Sequence, residues 1–579
     1  MPDAAILYQV AIPNPASHAA EVCMSLDPGG RPVVDLKLPV WTPGSYLVRE
    51  YARHLQGFAA MDDQGNSLSW RKVAKNHWQV MTSGVATLTV RYQVLAPELS
   101  VRTNHVDASH AFFTGAALFL YAVGAEEQPL RVTIVPPSAD WQVTTPLERL
   151  AGEGWQFWAA DYDTLVDSPI EVGTHAVYSF EVQGRAHTLA VWGQGNLNPQ
   201  RAVADIRKII EVEAELFGGL PYERYVFLLH LSSQGNGGLE HRDSCTLNYP
   251  RFGFQAPERY NRFLNLVAHE FFHLWNVKRL RPAELAHFDY DQENYTPSLW
   301  FSEGTTSYYD LLIPLRAGLY DVAWFLKELG ETVTRLWATP GRQVQSLSEA
   351  SFDAWIKYYR RDAYSLNTQI SYYLKGALVT LMLDLLIRQR HDHQRSFEDV
   401  LRHLWAEFGR PERGFTAADL RATVEAVAEM DLADFWRDYI DGTVELPLAE
   451  ALAPYGLRIV AEGGLDTPYL GLTSRMERGQ HLIQAVPFDS PAHRAGLDPG
   501  DELLALDGLR VTAEDLGARL RDYAPGDTVT VTVFRQDRLQ TYEVILGPPT
   551  AGRWAVVPVD TPTAAQKQAC LAWLGAFPT

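Results

Sequence analysis

Cysteine is scarce in this 579-residue chain, with three in all: Cys23, Cys245 and Cys570. They lie far apart, form no C-x-x-C pair and are odd in number. That pattern argues against a disulfide framework and points to a reducing compartment. Basic blocks are missing too. Asp and Glu outnumber Lys and Arg by 70 to 50, a formal charge of −20, which speaks against nucleic acid and anionic membrane as main partners. The N-terminus, MPDAAILYQVAIPNP, lacks a basic n-region and a long apolar h-region, so no signal peptide is expected. Long hydrophobic runs are absent as well. The longest, residues 111–125 and 376–387, are too short to span a bilayer, and the second carries Asp384. The expectation is a cytoplasmic protein with neither membrane nor nucleic-acid partners.

The chain is instead rich in core-forming residues. It is 46% hydrophobic with 16 Trp and 26 Tyr, enough for several cores, and its length suggests roughly three to five domains. The first 175 residues alternate apolar and polar, as in Leu88–Val94, between turn signals such as DPGG and DDQGNS; this reads as a β-sandwich. The stretch VWTPGSYLVREYARH (40–54) breaks the alternation. It reads either as a sandwich corner or as a surface that docks on the next domain. Near residue 197 the texture changes. Ile206, Ile209, Ile210, Val212 and Leu216 mark the apolar face of a helix, YERYVFLLHL reads as a strand, and residues 260–451 are mostly helical in pattern. Short strands return from Gly463, and AAQKQACLAWLG near the end has the pattern of a short helix.

One short segment carries chemistry. HEFFHLWN starts at His269. If RFLNLVAHEFFHLWNVKRL is a helix, His269 and His273 lie about 40° apart on one face at ~100° per residue, with Val267, Phe271 and Leu274 opposite. Two imidazoles one turn apart can share a Zn²⁺, and Glu270 beside them can take a proton from water. A catalytic zinc needs a third protein ligand. Glu303, in SLWFSEGTTSYYD, is the candidate, because a carboxylate in apolar surroundings is costly unless paired or coordinated.

HEFFHLW followed by LWFSEG resembles the zinc aminopeptidases of the aminopeptidase N type. GGLEH (237–241) is similar to their exopeptidase motif and YLKG (373–376) to their Tyr-x-Lys-Gly segment, all in the family's order. The sequence departs from that pattern at Leu239 and His241, and 29 residues separate His273 from Glu303. These departures, with WTPGSY near the start and a C-terminal PDZ-like unit, resemble the glycyl aminopeptidase family more closely.

The resemblance implies a multidomain α+β protein. Its parts would be an N-terminal β-sandwich (1–175), a thermolysin-like catalytic domain (176–380), a helical domain (381–455), a PDZ domain (456–548) and a tail (549–579). It implies one zinc per chain on His269, His273 and Glu303, with Glu270 as general base and Tyr373 as oxyanion donor. Tyr372 is adjacent to Tyr373 and remains the alternative donor. Glu240 would bind the substrate's free ammonium. Gly237 and Gly238 would leave an edge for an extended peptide, and the glycines of QGNGG keep that backbone clear. His241 would touch substrate or orient Glu240. The implied substrates are peptides with a free N-terminus, Gly and Ala preferred.

In the PDZ-like unit, YLGL (Tyr469–Leu472) resembles a carboxylate-binding loop and residues 513–523 the helix lining the groove, so a C-terminal peptide is a candidate partner. Two other readings stay open. One is a zinc endopeptidase; the other is a PDZ-bearing scaffold with an inactive protease domain.

Overall fold

The computed structural model describes residues 4–578 except Gln234 and Leu465. QGNGG begins at Gln234, so its first residue lies outside the described residues. The chain forms two compact units, residues 1–295 with 404–416, and residues 296–403 with 417–579.

In the first unit the period-two alternation becomes sheet. Ile6–Ala11, Ala19–Leu26, Leu55–Met61 and Leu88–Leu95 belong to a seven-stranded sheet, and two four-stranded sheets accompany it. In Leu88–Leu95 every second side chain is buried, and these inner faces share one apolar core that includes Tyr8, Trp78 and Tyr92. The 40–54 stretch docks rather than turning a plain corner. Trp41 Nε1 donates to the Asp289 carbonyl at 2.8 Å, and Val40 N to the Tyr290 carbonyl at 2.9 Å.

A mixed sheet of five strands follows, in the order Ala176–Val182, Arg185–Trp192, Arg224–Ser232, Ser244–Pro250, Gly237–Glu240. Gly237–Glu240 is an edge strand, antiparallel to its neighbour. Helix Pro199–Phe217 is capped by Asn198 and stopped by Gly218 at φ 79°. Helix Pro257–Phe272 starts on a proline, whose missing N–H costs nothing in a first turn. It ends sooner than the pattern suggests, with His273 as its C-cap. Leu274 and Trp275 form turns, bonded to the carbonyls of Phe271 and Phe272 at 3.1 Å. Residues 404–416 join this unit through Phe415, whose N–H and carbonyl pair with the Arg281 carbonyl at 2.9 Å and the Ala283 N–H at 2.7 Å.

The second unit is built on helix Tyr372–Arg390, so the boundary expected at residue 380 falls inside one continuous helix. The apolar run 376–387 is the buried heart of this helix. Asp384 is fully buried and accepts from Tyr308 Oη at 2.6 Å, Arg388 Nε at 3.0 Å and Phe397 N at 2.9 Å. The PDZ sheet contains Thr473–Glu477, Gln480–Ala485, Glu502–Leu506, Thr528–Arg535 and Arg538–Ile545. Its entry and exit segments, Leu457–Glu462 and Arg553–Pro558, pair as a ribbon. Thr334 Oγ1 of helix Val322–Trp337 accepts from Trp554 N at 2.7 Å and ties that ribbon down. Asn367 fastens the PDZ sheet itself, donating to the Val486 carbonyl at 2.9 Å and accepting from Phe488 N at 2.8 Å. The terminal helix Ala564–Leu574 docks through Trp573, whose Nε1 donates to Tyr308 Oη at 2.9 Å.

Candidate active site

Within the first unit, one turn of helix spaces the two histidines. The rings of His269 and His273 stand 4.6 Å apart at 87°. Val267, Phe271 and Leu274 are fully buried, as the amphipathic pattern requires. His273 is buried, and its Nδ1 lies 2.8 Å from the Asn276 carbonyl. That bond fixes Nδ1 as the donor and places the lone pair on Nε2, the usual way a backbone acceptor prepares a ligating imidazole. Two imidazoles at this spacing, with carboxylates at hand, suit a borderline divalent metal such as zinc.

Glu240, Glu270 and His273 are all buried and come together, with donor atoms within 4.8 Å of one another. The edge strand presses on Glu270. A Cβ placed on Gly238 would sit 2.2 Å from the Glu270 carboxyl carbon, so only glycine leaves room for that carboxylate. On its other side Glu240 meets the loop of the WTPGSY stretch. Gly44 has φ +85°, and a Cβ there would lie 2.4 Å from Glu240 Oε1. The β-domain thus supplies a wall of the site. Arg102 adds a further prop, its Nη2 3.4 Å from the Gly238 carbonyl on the edge strand.

His241 is placed by a residue the sequence gave no reason to choose. Its Nδ1 is 3.2 Å from Asp167 Oδ1, which also accepts from Lys278 Nζ at 2.6 Å, while Asp167 Oδ2 accepts from Arg242 N at 2.8 Å. Burial pushes the Asp167 carboxyl up, but the Lys278 charge and the His241 bond outweigh it and hold it well below the usual carboxylate range. A depressed carboxylate contributes stability above its unfolded pKa of ~3.9 and loses it as pH falls towards the folded value. Asp167→Asn leaves Lys278 buried without its charge partner. It is expected to cost about 3 kcal/mol of unfolding free energy at pH 7 and to flatten the acid limb of stability below pH ~4. Urea melts at several pH values check both; an unchanged midpoint at neutral pH would refute the assignment.

The remaining predicted residues belong to the second unit. Glu303 is buried on a π-helical turn, Trp300–Thr305, a local irregularity common at functional sites. Glycines let the Tyr372–Arg390 helix approach it. A Cβ on Gly304 would meet Gly376 Cα at 2.5 Å, and one on Gly376 would meet the Trp300 carbonyl at 2.7 Å. The glycines of LWFSEG and YLKG are therefore one crossing seen twice. Tyr372 is fully buried, whereas Tyr373 is partly exposed. Burial, then the Glu303 carboxylate, push the Tyr373 hydroxyl well above its ordinary pKa, so it remains a donor at neutral pH.

Comparison with known proteins accords with this geometry. Residues 7–174 match the family model of the peptidase M61 N-terminal domain, residues 262–379 that of M61 glycyl aminopeptidase, and residues 468–546 that of a PDZ domain. The crystal structure of an aminopeptidase N family protein from Idiomarina loihiensis is 32% identical, covers 98% of this chain and 100% of its own, and has a TM-score of 0.93. The chain belongs to the M61 glycyl aminopeptidase family. It is a peptide hydrolase. An M1 zinc metallopeptidase from Deinococcus radiodurans is more distant, at 15% identity, 76% of this chain, 94% of that one and TM-score 0.47. No curated protein matches. The glycyl aminopeptidase match takes in His269, Glu270, His273, Glu303 and Tyr373, while Glu240 lies upstream of it.

Proposed function

We propose that this M61 member is a zinc aminopeptidase that releases small N-terminal residues, Gly and Ala foremost, from peptides. The observation that carries the reading is the meeting of Glu240, Glu270 and His273 beside an edge strand. His269, His273 and Glu303 would hold the zinc, one per chain. Bound there, it would supply a Lewis acid for the peptide carbonyl and for water. The substrate backbone extends along Gly237–Glu240 as an added strand. Glu240 receives its ammonium, a charge-assisted pair that an internal peptide cannot form. Glu270 takes the proton of the attacking water and returns it to the leaving amine. Tyr373 donates to the developing oxyanion. The preference for Gly and Ala rests on the family, and the Gly44 loop closes one side of Glu240. Tyr469–Leu472 remains the proposed seat of a peptide carboxylate in the PDZ unit.

The test is hydrolysis of Gly-, Ala- and Leu-anilides beside their N-acetylated forms. Acetylation is expected to abolish cleavage. Glu240→Gln is expected to lower kcat/KM on the free substrates about 10- to 100-fold, matching the ~1.5–3 kcal/mol of a charged hydrogen bond. Equal cleavage of acetylated peptides would make the enzyme an endopeptidase. Zinc binding without turnover would favour the peptide-binding scaffold.

A further inference from the structure

A second cluster of metal-type donors lies in the first unit, on the β-hairpin His105–Val106 and His110–Phe113. We propose that His105, Asp107 and His110 form a second divalent-metal site, of the two-histidine, one-carboxylate class, that takes zinc or a similar first-row ion. One donor atom from each lies within 4.8 Å of the others.

The carboxylate is preset. Asp107 Oδ1 accepts from Ser109 N at 2.7 Å, Ser109 Oγ at 2.6 Å and His110 N at 3.1 Å. That turn leaves Oδ2 facing His105 Nε2 at 3.2 Å. The pair is close yet does not align as a hydrogen bond, and neither ring nitrogen of His105 has a hydrogen-bond partner among the described residues. A separation of this size is what two ligands of one ion show, since bonds of ~2.0–2.2 Å give polyhedron edges of roughly 3.0–3.5 Å.

His110 is preset as well. It is fully buried, and its Nδ1 lies 2.9 Å from Glu171 Oε1. Its ring stacks on Trp192 with centroids 3.6 Å apart. Nδ1–H therefore donates to a carboxylate and the lone pair falls on Nε2, which is buried with no partner among the described residues. A carboxylate behind an imidazole is the arrangement that orients a metal ligand. Glu171 itself acts as a positioning residue. Its second oxygen lies 2.9 Å from His230 Nε2, so both oxygens are engaged by well-formed hydrogen bonds. For this reason the ion is assigned to the His105–Asp107 side of His110 and not between His110 and His230. Asp107 and His105 are only partly buried, which leaves an entry path. An ion here would brace the loop carrying Arg102, three residues ahead of His105, whose guanidinium reaches the Gly238 carbonyl.

The experiment uses the full chain, stripped with chelator and titrated with Co²⁺ and then Zn²⁺. Bound metal is read by absorption and by elemental analysis. His269→Ala/His273→Ala removes the first pair of imidazoles, so the second site is read by itself whether or not the catalytic reading holds. That variant is expected to retain about one ion per chain. Adding Asp107→Asn, which preserves the Oδ1 turn, or His105→Ala is expected to weaken its binding at least about tenfold; circular dichroism verifies that each variant is folded. A double variant that binds no ion would overturn the proposal. So would one whose ion is indifferent to both Asp107→Asn and His105→Ala.

Discussion

Glu270→Gln is expected to lower kcat by about 10²- to 10⁴-fold, the range for a positioned general base, with zinc content unchanged. The substitution keeps the shape of the side chain, so it fits beneath Gly238, where a Cβ would come within 2.3 Å of Glu270 Oε1. What it removes is the basic oxygen. Glu270→Asp retains the charge but withdraws it by about one carbon–carbon bond, and a displacement of ~1 Å at the reacting centre costs up to about 10². Both variants are expected to lose kcat with little change in KM, the mark of an interaction made only in the transition state. The wild-type rate should also fall on chelation and return with zinc. A Gln variant within tenfold of wild type would remove Glu270 from the reaction and return the buried carboxylate to a structural role.

Local order was readable because it repeats within a few residues. The four-residue spacing of His269 and His273 is one helical turn, and alternation along Leu88–Leu95 is one sheet face. The PDZ sheet and the terminal helix also announce themselves in short windows. The termination of helix Pro257–Phe272 did not, because His273 and Leu274 continue the helical spacing of the two faces while the backbone already turns. The π-turn at Glu303 is hidden for the same reason, since its residues suit an ordinary helix equally well. Partners distant in sequence left no trace. Asp167 meets His241 across 74 positions, and Gly44 meets Glu240 across a whole domain. WTPGSY showed that something interrupts the strand pattern; only the fold reveals that a left-handed glycine there makes room for a carboxylate. Residues 404–416 read as part of a helical domain yet belong to the first unit, where Arg242 Nη1 bonds Glu412 Oε2 at 2.9 Å.

Tyr373→Phe is expected to cost about 10²- to 10³-fold in kcat, the usual loss of one oxyanion donor, and Tyr372→Phe only a few-fold. Exposure separates the two, since their rings stack with centroids 4.7 Å apart. Tyr372 is completely buried, and Tyr373 is the partly exposed member. The helix leaves little freedom to exchange them. Ser371 caps its first turn by accepting from Leu374 N at 3.3 Å, and the Gly304–Gly376 crossing holds its register. Tyr373 Oη also lies 3.5 Å from Tyr359 Oη, at the outer limit of a hydrogen bond. Its raised pKa keeps the proton on the phenol through the neutral range. The phenylalanine variant is therefore expected to lose kcat with KM nearly constant. Should Tyr372→Phe prove the more damaging of the two, the donor would be the inner tyrosine, and the first turn of this helix would have to rotate by about 100° on binding substrate.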